Sequence, residues 1–369
     1  MKKKWISVIA AAGLLAALVL LFVFWNRNRV YHTAAPVETK VQNVGAGVDS
    51  VRFEEGILRY SREGISFLNS NDKETWNKST SLADPMLLIR GSCGALGDKL
   101  GRHALIFDEE GVTGEIETIP PITNMALSSK GVLALALDED ETTRIVFYDK
   151  KGKKLDIEVS LEMSISGYPL DMELSADGNG LVIAAVSSAS GKLRSQLVFY
   201  NFSVGKGEAN RLIGFYDYED CLFPQVSYIS EKEVVAVGTD RIVYFDLSNE
   251  TKPTVTAEIP VNGNIRNAAA EYGKLAVIVA EEAGGMDLTV YDSTGKALFT
   301  NPVTEICRRL SISDCYAAVR TDAGLQLFDF GGRVRFNGAL SGTGTAVFPE
   351  GHRTLWQLDG STIYRYRLR

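Results

Sequence analysis

The chain repeats one device: a short β-branched and aromatic strand that ends on an aromatic residue and an Asp or Asn, followed by a turn. It stands as Ile65-Ser66-Phe67-Leu68-Asn69, Leu105-Ile106-Phe107-Asp108, Val146-Phe147-Tyr148-Asp149, Val243-Tyr244-Phe245-Asp246, Leu288-Thr289-Val290-Tyr291-Asp292 and Leu325-Gln326-Leu327-Phe328-Asp329. A looser copy is Leu197-Val198-Phe199-Tyr200-Asn201, and the chain finishes on Thr362-Ile363-Tyr364-Arg365-Tyr366. With Phe67, Phe107, Tyr148, Tyr200, Phe245, Tyr291, Phe328 and Tyr366 as markers, the intervals are 40, 41, 52, 45, 46, 37 and 38 residues. Strand patterns repeating at this period predict an all-β, eight-bladed β-propeller with WD40-like repeats, one four-stranded blade per copy.

The third copy shows the plan. Asn124–Ser128 reads as the innermost strand, Val132–Leu137 as the second, Arg144–Asp149 as the third and Leu155–Val159 as the outermost. The inner runs lack polar alternation because other blades cover both faces, whereas the outer strand alternates because one side is wet. After Phe328 the chain has strands for one more blade but stops at Arg369, one strand short. Val37–Gln42 is expected to supply the missing outer strand and close the ring. On this reading a cut after residue 33 costs little and a cut after residue 43 opens the ring. The alternative is seven blades, with Val51–Phe67 and the last strands in a single sheet.

Met1-Lys2-Lys3-Lys4 precedes an uncharged stretch from Trp5 to Trp25. About 20 helical residues cross a hydrocarbon core of ~30 Å, so this reads as an N-terminal transmembrane helix, an uncleaved signal anchor. The lysines favour a cytoplasmic amino terminus. The expected organisation is therefore a basic tip and anchor at 1–25, a stalk at 26–36 and an extracytoplasmic propeller at 37–369, single-pass in the cell membrane and bound to it through residues 5–25. The net charge of −7 and the lack of a basic stripe with interleaved aromatics argue against nucleic acid. Four cysteines do not make a disulfide framework, and Cys307 with Cys315 is the pair to weigh as a cross-strand bridge.

The stretch Ser166-Gly167-Tyr168-Pro169-Leu170-Asp171-Met172-Glu173-Leu174-Ser175-Ala176-Asp177-Gly178, then Phe199-Tyr200-Asn201-Phe202 and Tyr218-Glu219-Asp220, resembles the membrane-anchored propeller family of clostridia and related Gram-positive bacteria known as domain of unknown function 5711. Gly64-Ile65-Ser66 and Trp76-Asn77-Lys78 also fit. The resemblance covers nearly the whole chain and weakens at Cys93-Gly94-Ala95-Leu96-Gly97-Asp98. It implies the fold and carries no activity with it.

Reactive constellations are missing from the sequence, so no catalytic, cofactor-binding or metal-binding residue is assigned and no cofactor is expected. His32, His103 and His352 lack ligand spacing, and no nucleophile elbow or phosphate loop occurs. Asp108, Asp149, Asp246, Asp292 and Asp329 recur once per blade before a turn, which Asx hydrogen bonding explains better than calcium. The aromatic residues of blades four and five are different in kind. Tyr168, with Phe215, Tyr216, Tyr218 and Phe223, is aromatic where filler is Ser- and Gly-rich, and reads either as an interaction rim or as packing between two blades.

The function expected from these features is a non-catalytic, membrane-anchored interaction module that presents a rim or central mouth to an envelope protein or cell-wall partner. One alternative is a propeller enzyme, quinoprotein-like or a hydrolase, working in the axial funnel. It would need charged residues on inner-strand ends of several blades, for which Asp171, Asp314 and Arg266 are the candidates. The other is a structural accessory of an envelope complex.

Overall fold

A computed structural model describes residues 13, 14, 17, 29–41, 47–188, 192–204, 211–281, 284–341, 344, 346–359 and 362–369. Among these, the strands form eight four-stranded antiparallel sheets, the blades of a closed propeller. In each blade the strands are lettered a to d from the axis outward. The a strands are Asp49–Phe53, Pro85–Arg90, Ile122–Leu127, Tyr168–Leu174, Gln225–Tyr228, Asn264–Glu271, Cys307–Ile312 and Ala346–Glu350, and neighbouring a strands pack on one another around the axis. All eight marker aromatics fall on c strands. The seven-blade alternative is excluded, because Asp49–Phe53 and Thr362–Leu368 lie in different sheets.

An antiparallel meander running outward puts the a–b and c–d turns on one side of the disk, the turn face. The b–c hairpins and the d–a connections lie on the other, the loop face. Strand 3b, Leu133–Glu139, shows why inner runs are apolar throughout. Leu133, Leu135 and Leu137 feed the core shared with blade 2, while Ala134 and Ala136 feed the core shared with blade 4. Alternation persists, but it chooses between two dry neighbours. Each fully buried Leu contributes about 1.5–3 kcal/mol, so stability resides in blade-on-blade contact.

The c–d turns are held as the sequence suggests. Asp108 accepts the Glu110 N–H at 2.9 Å, Asp246 that of Ser248 at 2.8 Å and Asp329 that of Gly331 at 2.9 Å. Asp149 accepts from Lys151 and Lys153, and these N–H groups, Lys153 first, hold its carboxyl below the usual range.

Ring closure uses the amino-terminal strand. Ala34–Val41 is strand 8d, antiparallel to 8c, with Ala34 opposite Leu368 and Val41 opposite Thr362. It begins three residues before the expected Val37. The chain is fixed further upstream still: the Tyr31 N–H donates to the Arg335 carbonyl at 2.7 Å, the His32 N–H to that of Arg369 at 2.9 Å, and the Tyr31 ring is buried between blades 7 and 8.

One expectation is corrected. The transmembrane helix at residues 5–25 fails, and with it the signal anchor, the membrane partner and the single-pass topology, because no helix among the described residues is long and apolar enough to cross a membrane. Helical geometry is described there only at Gly13, Leu14 and Ala17, against the roughly 20 residues a crossing takes; the remainder of 5–25 lies outside the described residues. Cys307 and Cys315, the pair that the sequence left open, are both free. Cys307 opens strand 7a opposite Thr321, on the loop face, whereas Cys315 sits in the 7a–7b turn on the other face.

Candidate functional site

The aromatic insert divides into two sets. Strand 4d, Leu212–Glu219, alternates so that Tyr216 and Tyr218 turn into the wedge between blades 4 and 5. Tyr216 donates its hydroxyl to the Pro253 carbonyl at 2.7 Å and packs 5.1 Å from Phe245. Tyr218 meets the fully buried Phe223 at 4.9 Å, with the Arg241 guanidinium 5.7 Å from its ring. Burial pushes its phenol up to about 12. The structure thus brings Tyr216, Tyr218 and Phe223 together as interblade packing. Phe215 points away, 55% exposed on the circumference, and Tyr168 opens strand 4a on the loop face, 38% exposed.

Tyr168 has apolar neighbours that the sequence did not single out. The 2b–2c hairpin carries Leu100 and the connection from blade 2 to blade 3 carries Ile119, which is 88% exposed. The Leu100 N–H donates to the Ile122 carbonyl at 2.7 Å, and the Thr118 N–H to that of Arg102 at 2.8 Å, so hairpin and connection form one ledge. Ile165, on the connection from blade 3 to blade 4, lies on the same face and is exposed as well. These are aliphatic residues on loops across three adjacent blades of one face.

The axis holds a second cluster. Arg90 ends strand 2a, and its guanidinium passes strand 3a to reach Glu173 of strand 4a at 2.9 Å. Glu271 ends strand 6a, within the field of both Arg90 and Arg309. Arg309 of strand 7a lies 5.4 Å from the Phe348 ring of strand 8a. Asp171, two residues before Glu173, accepts the Val226 N–H at 2.8 Å. Charged residues of blades 2, 4 and 6 therefore lie at or near the turn-face ends of their a strands, while Arg309 is the third residue of strand 7a. Of the sequence candidates, Asp171 is next to the Arg90–Glu173 pair, Asp314 is in the 7a–7b turn on the same face, and Arg266 is an exposed residue nearer the loop-face end of strand 6a. Arg90, Glu173, Glu271 and Arg309 were missed. For Arg90, Glu173 and Glu271 the signal is a charged residue at or near the end of an a strand, visible only once the strands are aligned by blade.

Burial pushes Glu173 up to about 7 and Asp171 up to about 6 from ordinary values of 4.5 and 3.8, with Arg90 opposing both. A carboxyl whose folded pKa is raised binds its proton more tightly when folded. Its contribution to stability is complete below the unfolded pKa and is lost as pH rises through the folded one. The melting temperature is therefore expected to fall as pH rises from about 5 to about 8 across these shifts. Glu173→Gln removes part of that slope. Melts of both proteins across this window check it, and an equal slope in the variant would show that Glu173 does not titrate as stated. Below pH of about 4 the sign reverses, because the depressed Asx-turn carboxylates become protonated.

A cavity of about 320 Å³ opens along the seam of blades 8 and 1. Its charges are mutually satisfied. Arg52 and Arg365 lie 4.7 and 5.3 Å from the Trp356 ring, whose Nε1 donates to Glu350 at 2.9 Å, and Lys40 bridges Glu38 and Asp72. This is the lining of the closure. Among the described residues no group of three His, Cys, Asp or Glu side chains is arranged to hold a metal ion.

The sequence model of DUF5711, a family of unknown function, matches residues 27–368. The chain belongs to that family. No curated protein matches it in sequence. Among solved structures it is similar to BamB from Moraxella catarrhalis, at 13% identity and TM-score 0.56, covering 91% of this chain and 100% of that one. It is similar also to apo AztD from Citrobacter koseri, at 13% identity and TM-score 0.52, covering 85% of this chain and 94% of the other. A eukaryotic initiation factor gives 11%, 0.55, 88% and 82% in the same order. At such identities the likeness establishes the fold alone.

Proposed function

We propose that this DUF5711 propeller is a non-catalytic interaction module that docks a protein partner on its loop face. The observation that carries this reading is the exposure of Leu100, Ile119, Ile165 and Tyr168 on the loop face of three adjacent blades. Single exposed aliphatic residues are ordinary, but several on one face of adjacent blades mark a place where apolar surface is covered in use. Rigid blades below supply the pre-organisation that limits the entropy lost on binding.

The test is quantitative crosslinking in the native host with the intact chain, the Ile119→Asp/Ile165→Asp variant, and a control variant, Lys130→Glu, on the turn face. A protein partner recovered by the intact chain and the control and lost by the ledge variant is expected. Equal recovery by the ledge variant, or binding only to insoluble glycan, overturns it. The enzyme reading draws on the buried Asp171 and Glu173, since perturbed carboxyls cluster at catalytic sites. Against it, Glu173 is tied to Arg90 and Asp171 to a backbone N–H.

A further inference from the structure

The exposed apolar residues of the loop face are tied together through the backbone of blade 3. The Leu100 N–H donates to the Ile122 carbonyl at 2.7 Å, the Asp138 N–H to that of Pro121 at 3.0 Å, and the Met163 N–H to that of Glu141 at 2.9 Å. The 3b–3c hairpin at Asp140 and Glu141 is therefore fastened on one side to the connection bearing Ile119 and on the other to the connection bearing Ile165. Two of the apolar residues are fixed in place. Ile119 precedes Pro120 and Pro121, whose rings set the backbone, and the Thr118 hydroxyl donates to the Pro120 carbonyl at 2.8 Å. Leu100 is 68% exposed at a φ of 60°, the left-handed region that disfavours a Cβ. Glycine fits that backbone better and the fold gains little from a leucine in water, so the side chain points to a use outside the fold.

The ground between these residues is acidic. Asp138, Asp140 and Glu141 belong to the hairpin or its edge, while Glu117 and Glu162 end the outer strands Gly111–Glu117 and Lys154–Glu162. Glu139 is paired with Arg144, but these five carboxylates make no ion pair among the described residues, and the cations on the same loops are Lys99 and Arg102 alone. The sign of the surface restricts what can cover it. An acidic segment, or a second copy of this face, would be repelled. A segment with no charge would bury carboxylates without partners, which is costly. Aliphatic side chains set between lysines or arginines cover the apolar residues and give the carboxylates charge-assisted hydrogen bonds.

On the footing of the loop-face docking proposed above, we infer that the partner's docking segment is a basic amphipathic stretch of polypeptide, its aliphatic side chains on Leu100, Ile119 and Ile165 and its cations on Asp140 and Glu141.

A short labelled peptide of alternating lysine and leucine, titrated with the full chain by fluorescence anisotropy, tests it beside the glutamate–leucine and lysine–serine peptides of the same length. The lysine–leucine peptide is expected to bind saturably, at least about tenfold more tightly than either of the others, and to weaken as salt rises from about 0.05 to about 0.5 M. Asp140→Asn/Glu141→Gln should weaken it at least about fivefold. Glu231→Gln/Glu250→Gln makes the same change of net charge in turns of the opposite face and should leave it unaltered. Leu100→Gly should weaken binding while melting no lower than the parent, a separation that a structural leucine would not give. Absence of saturable binding, equal binding of the glutamate–leucine peptide, equal loss in the two carboxylate variants, or unaltered affinity in Asp140→Asn/Glu141→Gln or Leu100→Gly overturns the inference. Crosslinking in the native host separates it from the docking reading. A partner lost by Ile119→Asp/Ile165→Asp but kept by Asp140→Asn/Glu141→Gln removes the basic chemistry alone, whereas a partner kept by both removes the docking.

Discussion

Removal of residues 1–41 is expected to abolish the cooperative melt of the propeller, and removal of 1–33 to lower it substantially. Removal of 1–28 leaves every described closing contact in place. The longest cut takes strand 8d from Ala34 to Val41, bares the edge of Thr362–Leu368 and leaves blade 8 with three strands. An uncovered edge invites pairing with other chains, so aggregation on heating should accompany the loss. The intermediate cut spares the strand but removes Tyr31, which is buried between blades 7 and 8, and the hydrogen bonds that the Tyr31 and His32 backbone makes to Arg335 and Arg369. Losing a buried aromatic costs about 3–5 kcal/mol, or roughly 4–7 °C for a chain of this size. Calorimetry of the three truncations beside the full chain decides the matter. If the 1–33 and 1–28 cuts melt together, Tyr31 is a passive passenger; if the 1–41 cut melts like the full chain, strand 8d does not close the ring.

That gradation could not be read from the sequence, which suggested that a cut after residue 33 would cost little. The reason is physical. Tyr31 lies outside any strand and outside the repeat, and nothing in its local sequence separates a plug from a linker residue. Repeating features were legible because each is set locally. The c-strand aromatics must fill the wedge between blades, and the Asp after them must satisfy a turn, so both recur wherever a blade recurs. The axial cluster has the opposite character: Arg90, Glu173, Glu271 and Arg309 come from different blades at different strand positions, and no one blade contains a pattern. Among the rim aromatics, alternation along strand 4d separates Phe215 from Tyr216 and Tyr218, but only after the register with its neighbour Arg194–Asn201 is known. The apolar stretch at residues 5–25 is a caution of another kind, since hydropathy alone pointed to a crossing that no helix among the described residues provides.

The least promising strand in the sequence leads to the second large effect. Cys93–Asp98 carries two glycines where other blades have Leu, Val or Ile, yet it is strand 2b and most of it is buried. Gly94 lies directly opposite Phe107, and a Cβ on it would fall far inside van der Waals contact with that ring. Phe107 cannot move aside. It is fully buried, with ring centroids 5.6 Å from Phe53 and 5.8 Å from Trp76. One blade earlier a Cβ on Gly56 would likewise fall inside contact with the Phe67 ring, although Leu58 is the residue opposite Phe67. Gly94 is not in the left-handed region, so Gly94→Ala meets no backbone strain and should gain about 0.4–1 kcal/mol through the unfolded chain. Overpacking costs about 1–3 kcal/mol and wins. Gly94→Ala should therefore lower the melting temperature by several degrees, and Gly94→Val by more. Phe107→Leu frees the space, so the double variant Gly94→Ala/Phe107→Leu should be more stable than the sum of its single changes allows, by at least about 0.5 kcal/mol as expected for residues in contact. A double-mutant cycle followed by denaturant melts measures that coupling. Strict additivity, or a Gly94→Ala protein more stable than the parent, would mean that the glycines of strand 2b do not make room for the ring.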